Sequence, residues 1–285
     1  LRSRSLRLST ASARPAHGGR GAPLRSVRHR MVLRQEGCQH VRRRRSRSAR
    51  KLGNHLRQLR ILLQRAKHLL FHHKMEQLPN PVADGARAEL EASLQWMQTD
   101  HFDLYQMHSV NTDEDFDTAT GPGGALEVFL EAKEKGQARY LGFSSHSAET
   151  ALRLIESVGF DSVLFPINWS TWLGAGFGPQ VVAAAEAKGM ARLALKGMAY
   201  GKLEEGTERK WSKCWYQPIE DPALAELALR FTLSQPVTAA LPPGEPSFYP
   251  MALDIADRYT AVSADEVAEL QRLTAKSTPI FELAA

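Results

Sequence analysis

Apolar positions after residue 84 recur with two alternating spacings, one typical of a helix and one typical of a strand. Residues 86–99 place Leu90, Leu94 and Met97 near one helical face. The run FDLYQM at residues 102–107 follows and is typical of a short strand. Because this succession of helix and strand is repeated along the rest of the chain, the sequence predicts an α/β fold.

Polar caps and glycines delimit the helices. A glycine stands directly after three of the helical patterns, as is common at helix C-termini. Asp221 precedes Pro222 at the start of another helix, and Ser263 opens a capping box. The predicted helices cover residues 86–99, 124–135, 148–158, 180–188 and 222–234, with a last one after residue 263, and the predicted strands cover 102–107, 138–144, 162–166, 191–196 and 237–241.

The alternation favours a parallel sheet with helical crossovers. Strands separated by helices of about 10–15 residues indicate βαβ units, and their spacing suits a (β/α)₈ TIM barrel. Five strands are predicted where a barrel needs eight. An open, doubly wound sheet is the other architecture, but its usual GxGxxG turn is absent from the sequence. We therefore expect an incomplete (β/α)₈ barrel over residues 84–285.

Charge divides the chain near residue 80. The 285 residues carry a net charge of +6, from 37 Lys and Arg against 31 Asp and Glu. Residues 1–80 hold 21 of these bases and only two acids, Glu36 and Glu76, so that segment has a balance of +19 and the remainder has −13. We expect residues 1–80 to be an Arg-rich segment, disordered or helical, that is not part of the barrel.

Composition excludes several classes of protein. The chain has only two cysteines, Cys38 and Cys214, with no CxxC motif and no Cys/His cluster, so neither a disulfide scaffold nor a metal site is expected. No apolar run approaches the roughly 20 residues that span a bilayer. A membrane partner is therefore not expected, and we expect a cytoplasmic location.

Three sequence motifs resemble one enzyme family. LQWMQTDHFDLYQMH at residues 94–108 resembles the pattern L-x-x-L-x-x-D-Y-I-D-L-Y-x-x-H of the aldo-keto reductases. GQARYLGFSSH at 136–146 is similar to that family's G-K-I-R-x-I-G-V-S-N, and FPIN at 165–168 is similar to its Q-x-x-Y-N strand. The resemblance runs from about residue 87 to 253. It implies a TIM barrel that binds NADP(H), or NAD(H), and reduces an aldehyde or ketone.

The resemblance also implies roles for individual residues at strand ends. In this family a histidine hydrogen-bonds the substrate carbonyl, and His108 stands at that place. Ser144 and Ser145 fall where the family binds the nicotinamide carboxamide, with Ser145 in place of the usual Asn. Asn168 lies next to the strand whose Gln normally assists, although Leu164 occupies the Gln position itself.

Two further pairs of residues follow the last two strands. Lys196 with Gly197, and Pro243 with Gly244, stand where the resemblance places the phosphates and adenosine of the cofactor. Each pair is equally compatible with an ordinary turn that binds nothing.

The remaining catalytic groups of the family have no counterpart in this sequence. The family uses a Tyr as proton donor, with a Lys and an Asp that lower the Tyr pKa, and all three belong to the first three strands. No Tyr precedes Tyr105, and no Asp precedes Asp84. We therefore expect reductase activity to be impaired or absent in this chain.

The basic segment has three interpretations. The run RRRRSRS at residues 42–48 would neutralise several phosphates in a nucleic-acid-binding or nuclear-targeting arm, carried on a catalytically inactive barrel fragment. Such an arm would lose affinity steeply between low and physiological salt. The segment also resembles a transit leader, since it is rich in Arg and Ser and poor in acids. Neither interpretation explains the three missing strands.

The third interpretation is a frame-displaced translation. Read one nucleotide later, codons for residues 37–45 permit GVNMFDAAV, which resembles the family's second strand G-V-N-x-F-D-x-A. The same shift permits FFFTTKWN at residues 69–76, which resembles the third strand with its catalytic Lys. The proton-donating Tyr is not recovered in that frame. On this hypothesis the basic charge is a product of the frame, and a nucleic-acid partner is not expected.

The nucleotide sequence tests the frame hypothesis directly. We expect an open reading frame, one nucleotide downstream, that encodes F-D-x-A at the codons for residues 41–44. A stop codon in that frame between the codons for Gly37 and Glu76 would disprove it.

Overall fold

A computed structural model of the protein describes residues 82–283. The predicted basic segment, Cys38 and the proposed frame-displaced stretch lie outside the described residues. The predicted boundary near residue 80 lies at their edge and stays a prediction.

Helices and strands alternate through the described part of the chain. The helices are α1 (Val82–Met97), α2 (Asp113–Thr120), α3 (Ala125–Glu134), α4 (Ala148–Ser157), α5 (Trp169–Ala175), α6 (Pro179–Ala187), α7 (Pro222–Ser234), α8 (Tyr249–Asp257) and α9 (Ala264–Leu273), with 3₁₀ turns at Pro246–Phe248 and Thr274–Lys276. The strands are β1 (Phe102–Met107), β2 (Ala138–Ser144), β3 (Ser162–Pro166), β4 (Ala191–Leu195), β5 (Ala199–Lys202), β6 (Tyr216–Pro218) and β7 (Ala239–Ala240).

Five strands form one parallel sheet in the order β1-β2-β3-β4-β7. These are the five strands that the sequence predicts, in chain order, as expected for successive right-handed βαβ units. Strands β5 and β6 form a separate antiparallel hairpin. The α/β class is therefore confirmed for residues 82–283, whereas closure into a barrel stays a prediction.

The predicted helix caps are confirmed. The Asp221 side chain accepts a hydrogen bond from the backbone N–H of Leu224, and Pro222 occupies the first turn of α7. Ser263 and Glu266 form a complete capping box at the start of α9. Each cap satisfies backbone donors that have no partner inside the helix, so the local sequence fixes where these helices begin.

The apolar core lies between one face of the sheet and the helices. Phe143 and Phe165 are fully buried on β2 and β3, and they pack with apolar side chains of α4 and α6. A second buried cluster contains Trp169 and Phe231 and joins α5 to α7 and α8. The helices therefore cover this face of the sheet.

The opposite face of the sheet is less covered. Register pairs Leu104 with Tyr140, and Leu164 with Leu193, on that face. Tyr140 is 51% exposed, although it lies in the middle of a strand. In the predicted barrel this face would line the interior.

Five elements are absent from the sequence-based prediction, namely helices α2, α5 and α8 and strands β5 and β6. Helix α2 is rich in acidic residues, and α5 has only seven residues. The hairpin β5-β6 falls in the segment around residues 200–216, whose structure the pattern leaves open. Strand β7 is two residues long rather than the predicted 237–241, although Leu241 still donates a hydrogen bond to the Ala194 carbonyl.

Gly142 marks a close approach between β2 and β3. A methyl group there would lie 2.1 Å from the Ser162 hydroxyl oxygen and 2.9 Å from the Ser162 carbonyl oxygen. We predict that Gly142→Ala lowers the free energy of unfolding by about 1–3 kcal/mol, because the strands must separate to admit the methyl group. Urea denaturation measures the change.

Gly159→Ala is the matched control, since no atom lies within 4 Å of its added methyl group. We expect this variant to unfold within about 0.5 kcal/mol of the parent protein. Equal destabilisation by the two substitutions would contradict the close approach.

Candidate active site

The carboxyl ends of four neighbouring strands bring the predicted site residues to one edge of the sheet. His108 follows β1, Ser144 ends β2, Asn168 follows β3 and Lys196 follows β4. Because the strands are parallel and in register, these ends lie side by side. This is the edge at which enzymes with parallel barrels or sheets place their chemistry.

His108 and Ser144 contact each other across the first two strand ends. The Ser144 hydroxyl oxygen lies 3.4 Å from Nδ1 of His108 and accepts a hydrogen bond from the backbone N–H of Ser109 at 2.8 Å. His108 is exposed, whereas Ser144 is buried. The buried Ser144 hydroxyl is held in place by Ser109 and in turn orients the exposed imidazole of His108.

Asn111 links the loops that follow β1 and β2. Its amide nitrogen donates to the Ser109 hydroxyl at 2.6 Å, and its amide oxygen accepts from the backbone N–H of His146 at 2.7 Å. Ser109 adopts a left-handed backbone conformation, with φ of 58°. A non-glycine residue in that region is strained, so the surrounding hydrogen bonds have to hold it there.

His146 lies in an aromatic enclosure. Its ring stacks on Phe281 with the centroids 4.8 Å apart, and the Trp215 ring lies edge-on with its centroid 6.3 Å away. Burial, together with the charges of Lys196 and His108, lowers the pKa of His146 to about 4. His146 is therefore neutral at pH 7.

Both polar groups of the Asn168 side chain, the amide oxygen and the amide nitrogen, make hydrogen bonds. Its oxygen accepts from the backbone N–H groups of Ser170 and Thr171, which caps helix α5. Its nitrogen donates to the carbonyl oxygens of Lys196 at 2.9 Å and Ala199 at 2.7 Å. The predicted contact of Asn168 with a nicotinamide stays a prediction, and it would require some of these bonds to break.

Lys196 projects into a cage of aromatic rings. Its Nζ lies 4.8 Å from the ring centroid of Trp215 and 4.4 Å from that of Tyr216, within the range of cation–π attraction. Within residues 82–283, no carboxylate forms an ion pair with this amine. Burial lowers the pKa of Lys196 to about 8, although the nearby Cys214 thiol acts in the opposite direction.

Cys214 and Tyr216 form the buried floor beside Lys196. Both side chains pack with Ala199 and Ile280. Burial raises the pKa of Tyr216 well above its usual range, and a hydrogen bond with Cys214 adds to the effect. This phenol therefore stays protonated at physiological pH.

The structure places the other predicted cofactor residues in different surroundings. Ser145 is fully buried, and its hydroxyl exchanges hydrogen bonds of 3.0 Å with the backbone of Ser147. A methyl group on Gly197 would approach Thr232 of α7, and one on Gly244 would approach the Lys213 carbonyl, both at 3.1 Å. Pro243 is buried beside Gly244, which is exposed.

Several site residues come from parts of the chain that motif reasoning did not assign. His146 lies inside a matched motif, but the family pattern gives it no role. Trp215 and Tyr216 belong to the β5-β6 hairpin, and Phe281 belongs to the C-terminal segment. The sequence leaves the segment with Trp211 and Trp215 open, as either a substrate-side loop or an insertion packed on the predicted barrel.

Residues 82–283 contain no group of three or more His, Cys, Asp or Glu arranged to hold a metal ion. No helix in that range is long and apolar enough to cross a membrane.

Comparison with known families decides the relationship. The sequence profile described as the aldo/keto reductase family matches residues 59–276, which is more than half of the chain. The chain belongs to the aldo/keto reductase family. The match extends beyond the motifs at both ends, which indicates that the resemblance does not rest on short patterns alone.

Solved aldo-keto reductases are similar to this chain at low sequence identity. An aldo-keto reductase from Bacillus halodurans in its apo form is 21% identical, with 68% of this chain and 69% of that chain covered and a TM-score of 0.46. Its holo form is 20% identical, with 69% of this chain and 66% of that chain covered and a TM-score of 0.47. A Pseudomonas aeruginosa protein assigned to the same family is 20% identical, with 65% of this chain and 63% of that chain covered and a TM-score of 0.47.

This aldo/keto reductase thus spans about two thirds of the length of those solved structures. Among curated proteins none matches the chain.

Removing the Asn168 side chain tests how the site is held together. We predict that Asn168→Ala lowers the free energy of unfolding by about 2–4 kcal/mol, since it leaves two backbone donors and two carbonyl groups without their partner. Urea denaturation measures the loss.

Asn111→Ala is the comparison variant, because its side chain is only half-buried and makes two such bonds. We expect it to lose about 1 kcal/mol. A loss from Asn168→Ala no larger than that from Asn111→Ala would contradict the structural role of Asn168.

Proposed function

We propose that the protein is a carbonyl oxidoreductase of the aldo/keto reductase family that uses NADPH, or alternatively NADH, on a small aldehyde or ketone. Membership of the family supports an oxidoreductase function. For this chain the proposal rests on three residues, His108, Ser144 and Lys196, which lie at the carboxyl edge of the sheet.

His108 is proposed to bind the substrate. Its ring is exposed at the strand end, and the Ser144 hydroxyl lies 3.4 Å from Nδ1, which fixes its orientation. A histidine held this way can donate a hydrogen bond to a carbonyl oxygen and stabilise the negative charge that develops there. The substrate would therefore lie over the ends of β1 and β2.

Some of the predicted cofactor residues are suited to bind a dinucleotide, and others already make hydrogen bonds within the protein. The Lys196 amine, without a carboxylate partner among residues 82–283, suits the negative charge of a phosphate. Ser144 lies beside His108, where the nicotinamide end would have to meet the substrate. Ser145 and Asn168 are already hydrogen-bonded within the protein. Gly197, Pro243 and Gly244 are proposed to line the adenosine side.

A bound reduced nicotinamide would supply the hydride. The chain then has to supply the proton. We propose that this proton transfer is impaired. The described tyrosine at the site, Tyr216, is buried, with its pKa raised. Residues 1–81 contain no Tyr and no Asp. Loss of a general acid typically reduces the rate by about 10²–10⁴.

Two further features stay predictions. A cytoplasmic location rests on composition. A nucleic-acid-binding arm at residues 1–80 is the alternative function, supported by the balance of +19 in that segment.

NADPH binding and turnover test the proposal. We expect NADPH to quench the protein's tryptophan fluorescence saturably, because Trp215 borders Lys196. Turnover of a generic aldehyde should be about 10²–10⁴ below that of a complete family member, and His108→Ala should lower the remaining rate at least about tenfold.

His101→Ala is the matched control, since His101 lies just before the other end of the same strand and pairs with Asp100. We expect its turnover to equal that of the parent. Failure of both NADPH and NADH to bind would contradict the assignment of the cofactor, and turnover at the rate of a complete family member would contradict the impairment.

A further inference from the structure

The surroundings of the Lys196 amine differ from those of four lysines on the surface. Lys133, Lys135, Lys188 and Lys210 each form an ion pair with a carboxylate. Lys196 instead faces the rings of Trp215 and Tyr216, with Cys214 close by. A desolvated amine without an anionic partner is held less firmly in its charged form, so its nucleophilic neutral form is easier to reach.

The backbone holds this amine at the working edge of the sheet. Lys196 has a left-handed conformation, with φ of 69°, and Asn168 donates a hydrogen bond to its carbonyl oxygen. The residue as a whole is half-buried rather than fully buried. The amine is thus oriented and lies in apolar surroundings.

We propose that Lys196 is a nucleophile that captures small aldehydes as an imine at the carboxyl edge of the sheet. This goes beyond the reductase function, because the capture needs no dinucleotide. The aromatic walls suit a small apolar aldehyde, and a buried lysine in an apolar pocket is the kind of amine that forms Schiff bases.

The reaction conserves all atoms and involves no oxidation. The lone pair of the neutral Nζ attacks the carbonyl carbon, the C=O π electrons move to oxygen, and a proton passes from nitrogen to oxygen to give a carbinolamine. The nitrogen lone pair then forms the C=N bond as the C–O bond breaks, and the hydroxyl leaves as water with the remaining proton of the nitrogen. Hydrolysis reverses the reaction, so the captured aldehyde is released unchanged.

His146 is suited to assist the loss of water. Burial, with the charges of Lys196 and His108, lowers its pKa to about 4, so its ring is a neutral acceptor and donor at pH 7. His146 and Lys196 both lie against Trp215, with ring centroids 6.3 Å apart for His146 and the Nζ atom 4.8 Å from the ring centroid for Lys196. His146 would act as a positioning and proton-transfer residue rather than as the nucleophile.

Reductive trapping with a defined probe tests the capture. The full chain is incubated at pH 7 with propanal and sodium cyanoborohydride, and propylated lysines are quantified by peptide mass spectrometry over time. Because a larger fraction of the Lys196 amine is neutral, we expect Lys196 to be propylated at least about tenfold faster than Lys202.

Lys202 is the internal control, since it lies on the adjoining β5 strand and is exposed. Trp215→Ala should reduce the preference for Lys196 at least about threefold, because it opens the cage to water. His146→Phe, which preserves a ring against Phe281, should slow trapping at Lys196 but not at Lys202. Circular dichroism checks that both variants are folded.

The outcomes separate this inference from the proposed reductase function. Propylation of Lys196 no faster than that of Lys202 in the folded parent protein would overturn the inference. A preference for Lys196 that NADPH diminishes would support both the inference and the cofactor position. A preference for Lys196 that NADPH leaves unchanged would support the inference and contradict only the placement of the cofactor.

Discussion

One buried side chain fixes the geometry on which the site depends. Asn168 caps helix α5 with its oxygen and holds the carbonyl oxygens of Lys196 and Ala199 with its nitrogen. These bonds join the exit of β3 to the exit of β4 and to the start of the hairpin. Because a buried amide left without partners is costly, the three segments keep one arrangement relative to one another.

This arrangement determines the electrostatics of the carboxyl edge. The hairpin places Trp215 and Tyr216 over the Lys196 amine, and the C-terminal segment places Phe281 against His146. Rings exclude water without supplying negative charge, so the pKa values of both basic groups fall. The edge therefore combines an exposed imidazole at His108 with a lysine that loses its proton unusually easily.

The sequence predicted the layered fold better than it predicted the site. Hydrophobic periodicity and caps such as Ser263 are local signals, which is why five strands and most of the helices matched. Motif position also selected His108 and Ser144, whose side chains lie 3.4 Å apart, and their roles stay predictions. The roles of Asn168 and Phe281 could not be predicted, because they arise from contacts with segments about 30 and 135 residues away in the chain.

The protonation equilibrium of Lys196 shows most directly whether its amine lies in apolar surroundings. NMR of protein labelled with ¹³C at lysine Cε follows each amine through its titration, and Lys196→Arg assigns the signal. We expect a midpoint at pH about 8 for Lys196, below the ordinary lysine value of about 10.4. A midpoint for Lys196 at that ordinary value would show that its surroundings are not apolar, and would contradict the burial of its amine among the aromatic rings.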